Sequence, residues 1–127
     1  MATGISEYYA NKLLEHALGK TEFTMPTIMY LAAFDGDPLD AGSEIATGAY
    51  ARQQMTISAA AGAIASNGAD ITFPEATGDW GTVSHLGVFY QLTEGTVSFA
   101  GTMDTAKAID TSDQLKVSSG NFGVQFS

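Results

Sequence analysis

Three aspartates in one short loop are the residues whose possible chemistry is easiest to name. Asp35, Asp37 and Asp40 lie close together among glycine and proline residues. Glu44 follows them, and clustered carboxylates are the ligands that Ca²⁺ prefers. The spacing is not that of an EF-hand, because Pro38 stands where a third ligand and its glycine would be expected. Asp-Gly and Asp-Pro pairs also form turns, so this loop is a weak calcium candidate and a solvated turn is the simpler interpretation.

The histidines and serines show no recognisable catalytic arrangement. His16 and His85 lie far apart, and neither stands in an HExxH or His-x-His spacing. No Gly-x-Ser-x-Gly elbow and no glycine-rich phosphate loop is present. His85 alternates with Val83, Gly87 and Phe89 in a predicted strand, which is typical of a core or interface histidine. We therefore expect no catalytic residue, no metal site and no cofactor, and a protein that is not an enzyme.

The single tryptophan stands in the loop of a strand–loop–strand segment, residues 69–90. The lone tryptophan of a small domain is usually a core or interface anchor. We predict that Trp80 and Phe89 pack together with Phe73 or Ile71 beneath this loop. These four residues are the predicted core anchors.

Composition limits the classes of partner. The chain has 127 residues, 45% of them hydrophobic, which is enough for the core of one domain. Fourteen acidic residues against five scattered basic ones give a net charge of −9, so neither nucleic acid nor an anionic membrane is an expected partner. The chain has no cysteine, which excludes disulfides. No signal peptide and no apolar run of the ~20 residues needed to cross a bilayer is apparent, which favours a bacterial cytoplasmic product.

A helix over residues 6–18 is the first predicted element. Ser6 is a good N-cap, Glu7 suits the positive end of the helix dipole, and Gly19 suits the left-handed position after the last turn. Such a short helix needs a sheet to pack against. Tyr8 and Tyr9 exceed what a short surface helix needs, which makes them candidates for an intersubunit contact.

The remainder, residues 27–127, is predicted to form about eight short strands separated by turns. The extended segments are residues 27–34, 50–57, 63–66, 69–73, 83–90, 96–102, 114–118 and 122–126. The first of these is apolar on both faces, as in a central strand. In the second, Tyr50, Arg52 and Gln54 are expected on one face, opposite Met55.

Turn signals predict three hairpins. Asn67-Gly68 would join the third and fourth segments, residues 93–95 the fifth and sixth, and residues 119–121 the last two. One helix and many short, regularly spaced strands indicate a mainly β protein. The predicted fold is a single domain over residues 1–127, a jelly-roll-like antiparallel β-sandwich with one N-terminal α-helix.

Several ordered motifs, spread over nearly the whole chain, give this sequence a specific resemblance. The motifs are residues 13–19 (LLEHALG), 28–34 (IMYLAAF) followed by Asp37-Pro38, 48–52 (GAYAR), 71–74 (ITFP), 79–89 (DWGTVSHLGVF) and 99–103 (FAGTM). The chain thereby resembles a family of small virion structural proteins of tailed bacteriophages and prophages. Its members are commonly labelled tail-fibre or minor virion proteins. The sequence departs from the family after Phe89, where residues 90–95 (YQLTEG) replace an Asp and a Gly-Gly-Asn turn.

The resemblance implies a structural protein of the phage particle, assembled in the host cytoplasm. Small size, acidity and the absence of a recognisable catalytic motif favour a capsid decoration (cement) subunit that binds the major capsid protein and stabilises the head. A tail-fibre or baseplate component is the alternative. A carbohydrate-binding module using Trp80, Tyr50 and Tyr90 is a third hypothesis.

Partners are expected to be the major capsid protein or other virion proteins, and several copies are expected to associate as a homo-oligomer. The residues predicted to face such partners are exposed aromatic or acidic side chains, namely Tyr8, Tyr9, Asp35, Asp37, Tyr90 and Glu94. The acidic loop from Asp35 to Glu44 would suit a basic patch on a capsid shell.

Overall fold

A computed structural model describes residues 4–24 and 27–125. These residues form one helix and nine strands. In chain order they are β1 (Gly4–Ile5), α1 (Glu7–Ala17), β2 (Met29–Phe34), β3 (Gln53–Met55), β4 (Ile64–Ser66), β5 (Ile71–Thr72), β6 (Gly81–Phe89), β7 (Phe99–Ile109), β8 (Lys116–Val117) and β9 (Gly123–Gln125).

Helix α1 forms where its capping residues predict it. Ser6 has extended backbone dihedrals, and its hydroxyl accepts a hydrogen bond from the backbone N–H of Tyr9. Gly19 takes a positive φ of 79°, and the N–H of Lys20 bonds to the carbonyl of Glu15 at 2.7 Å. This left-handed residue ends the helix as glycine normally does.

The main sheet has five antiparallel strands in the order β1-β7-β6-β2-β3. Strand β2 is interior, which confirms the prediction made from its two apolar faces. The predicted hairpin between β6 and β7 is also confirmed, with Glu94 and Gly95 at positive φ in its turn. Strand β1 was not predicted, because two residues that pair with Phe99 and Ala100 carry no local signal.

A wide bulge interrupts the pairing of β6 with β7. Val83 lies opposite Lys107 and His85 opposite Thr102. Between these two pairs β6 has the single residue Ser84, whereas β7 has the four residues 103–106. This irregularity shifts the alternation of side chains along β6. Val83 therefore belongs to the same core as Leu86. The expectation that Val83, His85 and Phe89 share one strand face is wrong.

Two of the three predicted hairpins do not form. In two separate ribbons, strand β4 pairs with β9, whose partners are about 60 positions away, and β5 pairs with β8, whose partners are about 45 positions away. Asn67 explains this arrangement. Its amide nitrogen donates to the carbonyls of Ala69 and Ser118, and its oxygen accepts from the N–H of Phe122. The buried asparagine holds two distant segments together instead of turning one hairpin.

The last predicted strand, residues 122–126, is observed as β9 up to Gln125, and residue 126 lies outside the described residues. The strand predicted over residues 50–57 is limited to β3. Tyr50 and Arg52 precede it in irregular backbone and do not share a face. Tyr50 packs on the larger core cluster, whereas Arg52 lies over Phe89.

The core has two parts, one on each side of the main sheet. The larger contains Trp80, Phe73 and Ile71 and extends to the two ribbons, and Trp80 packs edge-on against Phe73. Phe89 lies in the smaller part, stacked on Phe34. The prediction that Phe89 packs with Trp80 is therefore wrong. Val88 belongs to the same core part as Trp80, and Phe89, the next residue of β6, points to the other face of the sheet.

The whole is a mainly β, sandwich-like domain with an N-terminal helix, as predicted. The five-stranded sheet is its largest element, and the two ribbons cover the larger core. A jelly-roll connection of the strands stays a prediction.

Candidate interaction surface

The acidic loop is a tight turn that its own carboxylates stabilise. Asp35 Oδ1 accepts a hydrogen bond of 2.9 Å from the N–H of Ser43, and Asp37 Oδ1 accepts one of 2.9 Å from the N–H of Leu39. A Cβ on Gly42 would lie 2.3 Å from the backbone of Gly36, so only glycine fits at this close approach. The loop thus uses two of its carboxylates as turn caps.

The weak calcium candidate gains no support from this geometry. Within residues 4–24 and 27–125, no three or more His, Cys, Asp or Glu side chains are grouped so that they could hold a metal ion. Asp40 is exposed, while Asp35 and Asp37 bind backbone N–H groups.

Arg52 is the only arginine of the chain, and its side chain binds groups that are far apart in the sequence. Its side chain is only 5% exposed and pairs with both carboxylate oxygens of Glu44, each at 2.8 Å. Its remaining terminal nitrogen donates to the carbonyls of Gln91 and Glu94 at 2.8 and 2.7 Å. The guanidinium carbon lies 3.6 Å from the centre of the Phe89 ring. A planar group with several fixed donors is needed for such an arrangement, and lysine cannot provide it.

Tyr50 completes this network from the core side. Its hydroxyl donates to Glu44 Oε2 at 2.6 Å and accepts from the N–H of Ala33 on β2 at 3.0 Å. Burial, and then the hydrogen bond to Glu44, raises the pKa of Tyr50 far above its usual range. Burial alone would raise the pKa of Glu44, but the hydrogen bonds from Arg52 and Tyr50 outweigh it and lower that pKa. Glu44 is therefore held in its charged form.

The network joins two loops that are far apart in sequence. Glu44 closes the acidic loop, residues 35–44, and the carbonyls of Gln91 and Glu94 belong to the β6–β7 turn, residues 91–95. Since one buried guanidinium binds both, the two loops form one continuous surface, which we call the loop surface. The side chains of Leu92, Glu94 and Asp40 are exposed on it.

Sequence analysis did not identify the pair of Arg52 and Glu44. It placed Arg52 on one strand face with Tyr50 and Gln54, and it named Glu44 only beside the weak calcium candidate. One signal was available. The only arginine of a strongly acidic chain, at the end of the GAYAR motif, was a candidate for a buried ion pair.

The predicted contact tyrosines separate into different environments. Tyr8 is 53% exposed, with the ammonium of Lys12 4.9 Å from its ring centre, and its role in an interface stays a prediction. Tyr9 is only 4% exposed, so its placement at an intersubunit contact is wrong. It packs against the half-buried Tyr90 and against Phe23 instead. Burial is the main cause that raises the pKa of both Tyr9 and Tyr90.

Aromatic stacking on a sugar is not available to Trp80. Its ring is 6% exposed, and Tyr50 and Phe73 both pack against it edge-on. Its indole N–H donates to the carbonyl of Gly48 at 2.8 Å, so its polar edge is also satisfied. The carbohydrate hypothesis loses the residue on which it depended.

His85 and Ser84 are in contact, with 2.8 Å between Ser84 Oγ and His85 Nδ1. The two residues are neighbours at the bulge of β6 and have no carboxylate partner in the hydrogen bonds that the structure gives. A nucleophile needs a base oriented by a third group, which this pair lacks.

A second surface feature is an apolar groove of about 530 Å³. Its walls are α1, with Leu13 and His16, and residues 57–65, an alanine-rich segment that includes Ile57. Side chains of the sheet form its floor, among them Met29 and Phe99. We call this feature the helix groove.

The fold defines a class of protein. The chain is a β-rich domain in which one buried arginine joins two loops and an apolar groove lies beside the helix. In the part of the chain that the structure describes, no helix is long and apolar enough to cross a membrane.

Comparison with protein families identifies the particular family. Residues 4–125 match the model of the family described as podophage GP4 fiber I protein gp80. The match spans nearly the full chain, and the protein belongs to this family of phage virion structural proteins. The resemblance stated from the sequence motifs is thereby confirmed. No curated protein matches the sequence.

Proposed function

We propose that this protein is a non-enzymatic structural subunit of a phage tail fibre and that it reaches the virion by binding another virion protein through the loop surface. The family is described as a fibre protein, which favours the tail over the head.

The observation that carries the proposal is the burial of Arg52 between two loops. Four hydrogen bonds from one side chain fix the acidic loop and the β6–β7 turn before any partner arrives. Association is weakened by the conformational entropy that loops lose on binding. A surface whose loops are already fixed loses less, so this network favours a binding role for the loops.

Charge indicates the chemistry of the partner. Asp35, Asp40 and Glu94 are exposed on the loop surface, whereas Arg52 is buried and neutralised by Glu44. The exposed charges are therefore all negative. A basic patch on a neighbouring virion protein is the complementary surface, and such complementarity raises association rates and fixes the orientation of the partners.

Capsid decoration, to which small size and acidity pointed, receives no specific support. Those properties fit many soluble domains, and the family description names a fibre and not a head protein. A decoration subunit is therefore the second candidate.

Immunogold labelling of virions that carry an epitope-tagged copy tests the location. We expect label at the tail, and label spread over the head would contradict the fibre proposal.

Charge reversal tests the loop surface itself. Asp40→Lys and Glu94→Lys change exposed side chains for which the structure gives no hydrogen bond, so both variants should fold normally. Asp104→Lys makes the same change on the exposed part of β7 and is the matched control. We expect the first two to reduce incorporation into virions, measured by immunoblot of purified particles, and the control to leave it unchanged. Equal incorporation of all three would refute the role of the loop surface.

A further inference from the structure

Asn67 is the only asparagine of the chain that precedes a glycine. This dipeptide is prone to spontaneous deamidation, because glycine has no side chain to hinder attack by its backbone nitrogen. The nitrogen of Gly68 bonds to the side-chain carbonyl carbon of Asn67, and ammonia leaves with the side-chain nitrogen and the proton of the Gly68 N–H. Water then opens the succinimide ring at either carbonyl, which gives aspartate or isoaspartate. Since water is the only other reactant, the fold decides whether this reaction occurs.

Hydrogen bonds hold both reacting groups in the folded chain. Asn67 is 1% exposed. Its amide nitrogen donates to two backbone carbonyls, at 2.9 and 3.0 Å, and its side-chain oxygen accepts from the N–H of Phe122 at 3.0 Å. The N–H of Gly68 donates to the carbonyl of Thr56 at 2.7 Å. The Gly68 nitrogen must lose its proton and reach the side chain of Asn67, so these hydrogen bonds have to break before the ring can close.

The backbone around Asn67 is anchored to the same distant segment. Its N–H donates to a carbonyl of residues 118–122 at 3.0 Å, and its carbonyl accepts from an N–H of that segment at 2.9 Å. Asp70 Oδ1 accepts from the N–H of Ser119 at 2.8 Å. We call these contacts between residues 67–70 and 118–122 the Asn67 clasp. The clasp lies between the strands of the two ribbons, so it can open locally while the main sheet stays intact.

The product of deamidation cannot restore the clasp. A carboxylate at position 67 still accepts from the N–H of Phe122, but it has no hydrogen to donate to the carbonyls of Ala69 and Ser118. Its charge would be buried against these two carbonyl oxygens, which is strongly unfavourable. Isoaspartate in addition lengthens the backbone by one carbon and displaces the groups that pair with the opposite segment.

We propose that Asn67-Gly68 is a latent modification site, which the Asn67 clasp blocks in the folded chain. Deamidation there converts a transient opening of the two ribbons into a permanent one. The proposal goes beyond the fibre function. Purified protein suffices to test it, so its failure would leave the tail location untouched.

The first experiment measures deamidation rates of the wild type, folded and in guanidinium chloride, by mass spectrometry of proteolytic peptides. Asn11 and Asn121 precede bulky residues and serve as internal controls. In denaturant Asn67 should react at least about tenfold faster than either control. In the folded protein its rate should be at least about tenfold lower than in denaturant, because reaction requires local opening.

A variant tests whether the clasp is the cause of this protection. Asp70→Ala removes the acceptor of the Ser119 N–H and should raise the deamidation rate of Asn67 in the folded protein severalfold. Asp104→Ala makes the same change at an exposed residue of β7 and is the matched control. Rates in guanidinium chloride should be equal for both variants and the wild type, since no clasp exists there.

The second experiment tests the product. Asn67→Asp should have a lower urea midpoint than the wild type and faster hydrogen exchange in β4 and β9, with less change in β2. Asn121→Asp places the same charge at an exposed position of the opposite segment and should behave as the wild type. Deamidated wild type, separated by ion exchange and refolded, should show the same loss, which keeps the test valid where Asn67→Asp does not fold.

Equal rates at Asn67 in folded and denatured protein, or a rate in denaturant no higher than that of Asn11, would overturn the proposal. A folded-state rate that Asp70→Ala leaves unchanged would refute the role of the clasp. A deamidated chain that refolds to the wild-type urea midpoint would show that the modification does not hold the ribbons open.

Discussion

Replacement of Arg52 by methionine is the perturbation that tests the loop surface most directly. Methionine has a similar length and can still cover the Phe89 ring, so the change removes the charge and the donors with little loss of packing. Four hydrogen bonds disappear, and the carboxylate of Glu44 loses its cation. The carbonyls of Gln91 and Glu94 lose their donor as well.

The expected loss follows from burial. The Arg52 side chain is 5% exposed and that of Glu44 26%, so the pair is screened much less than a surface salt bridge. Removal of one partner of a buried ion pair costs about 3–5 kcal/mol, because it leaves an uncompensated charge. Water can reach the partly exposed Glu44, so we expect about 3 kcal/mol. Domains of this size have a total stability of roughly 5–15 kcal/mol, so the variant should fold but melt roughly 10 °C or more below the wild type.

Urea unfolding gives the free energy, and hydrogen exchange shows where it is lost. Amides of residues 91–95 should exchange faster in Arg52→Met, whereas those of β2 should change less. Glu44→Gln combined with Arg52→Met should cost less than the sum of the two single changes, since the double variant has no unpaired charge. Lys116→Met removes the exposed ion pair with Asp70 and serves as control, with little change expected. A loss below about 1 kcal/mol in Arg52→Met would refute the view that this residue holds the two loops together.

Three further predictions concern stability. The pKa of Glu44 is lower in the folded state than its unfolded value of about 4.3. The contribution of Glu44 to the free energy of unfolding is therefore complete above that value and is lost as the pH falls through the folded-state pKa. Urea midpoints of the wild type should therefore fall more steeply below about pH 4.3 than those of Glu44→Gln, and parallel curves would contradict this. Trp80→Ala should lower the free energy of unfolding by about 3–5 kcal/mol because the side chain is buried, and near-native melting would show that it is not. Gly42→Ala should cost about 1–3 kcal/mol in thermal unfolding because its Cβ would collide with the backbone of Gly36, whereas Gly101→Ala, with open space around it, should cost less; equal losses would exclude the collision as the cause.

Local signals predicted the elements whose pairing is local. Ser6 and Gly19 place the ends of α1, and the turn at Glu94-Gly95 joins two strands that are neighbours in sequence. In each case the residues that fix the structure lie within a few positions of one another. The family was also recognisable from short motifs in their order along the chain.

The hairpin predicted at Asn67-Gly68 does not form because Asn67 makes hydrogen bonds to a distant segment of the chain. Both residues tolerate turn geometry, but the side chain of Asn67 binds the backbone around residues 118–122. The pairing of β4 with β9 and of β5 with β8 depends on contacts that sequence spacing does not show. Phe89 was misplaced for a related reason, since the bulge at Ser84 shifts the alternation along β6 and only the register with β7 reveals it.

The sequence by itself determined the class of protein: a mainly β domain with an N-terminal helix, without recognisable catalytic motifs, belonging to a phage virion family. Only the tertiary structure decided which residues form its surfaces. In the sequence Arg52 is one residue of a predicted strand. Its burial depends on the acidic loop and the β6–β7 turn, which enclose it although they are far away in the chain. The helix groove likewise exists only where α1 and residues 57–65 lie on either side of the sheet residues that form its floor.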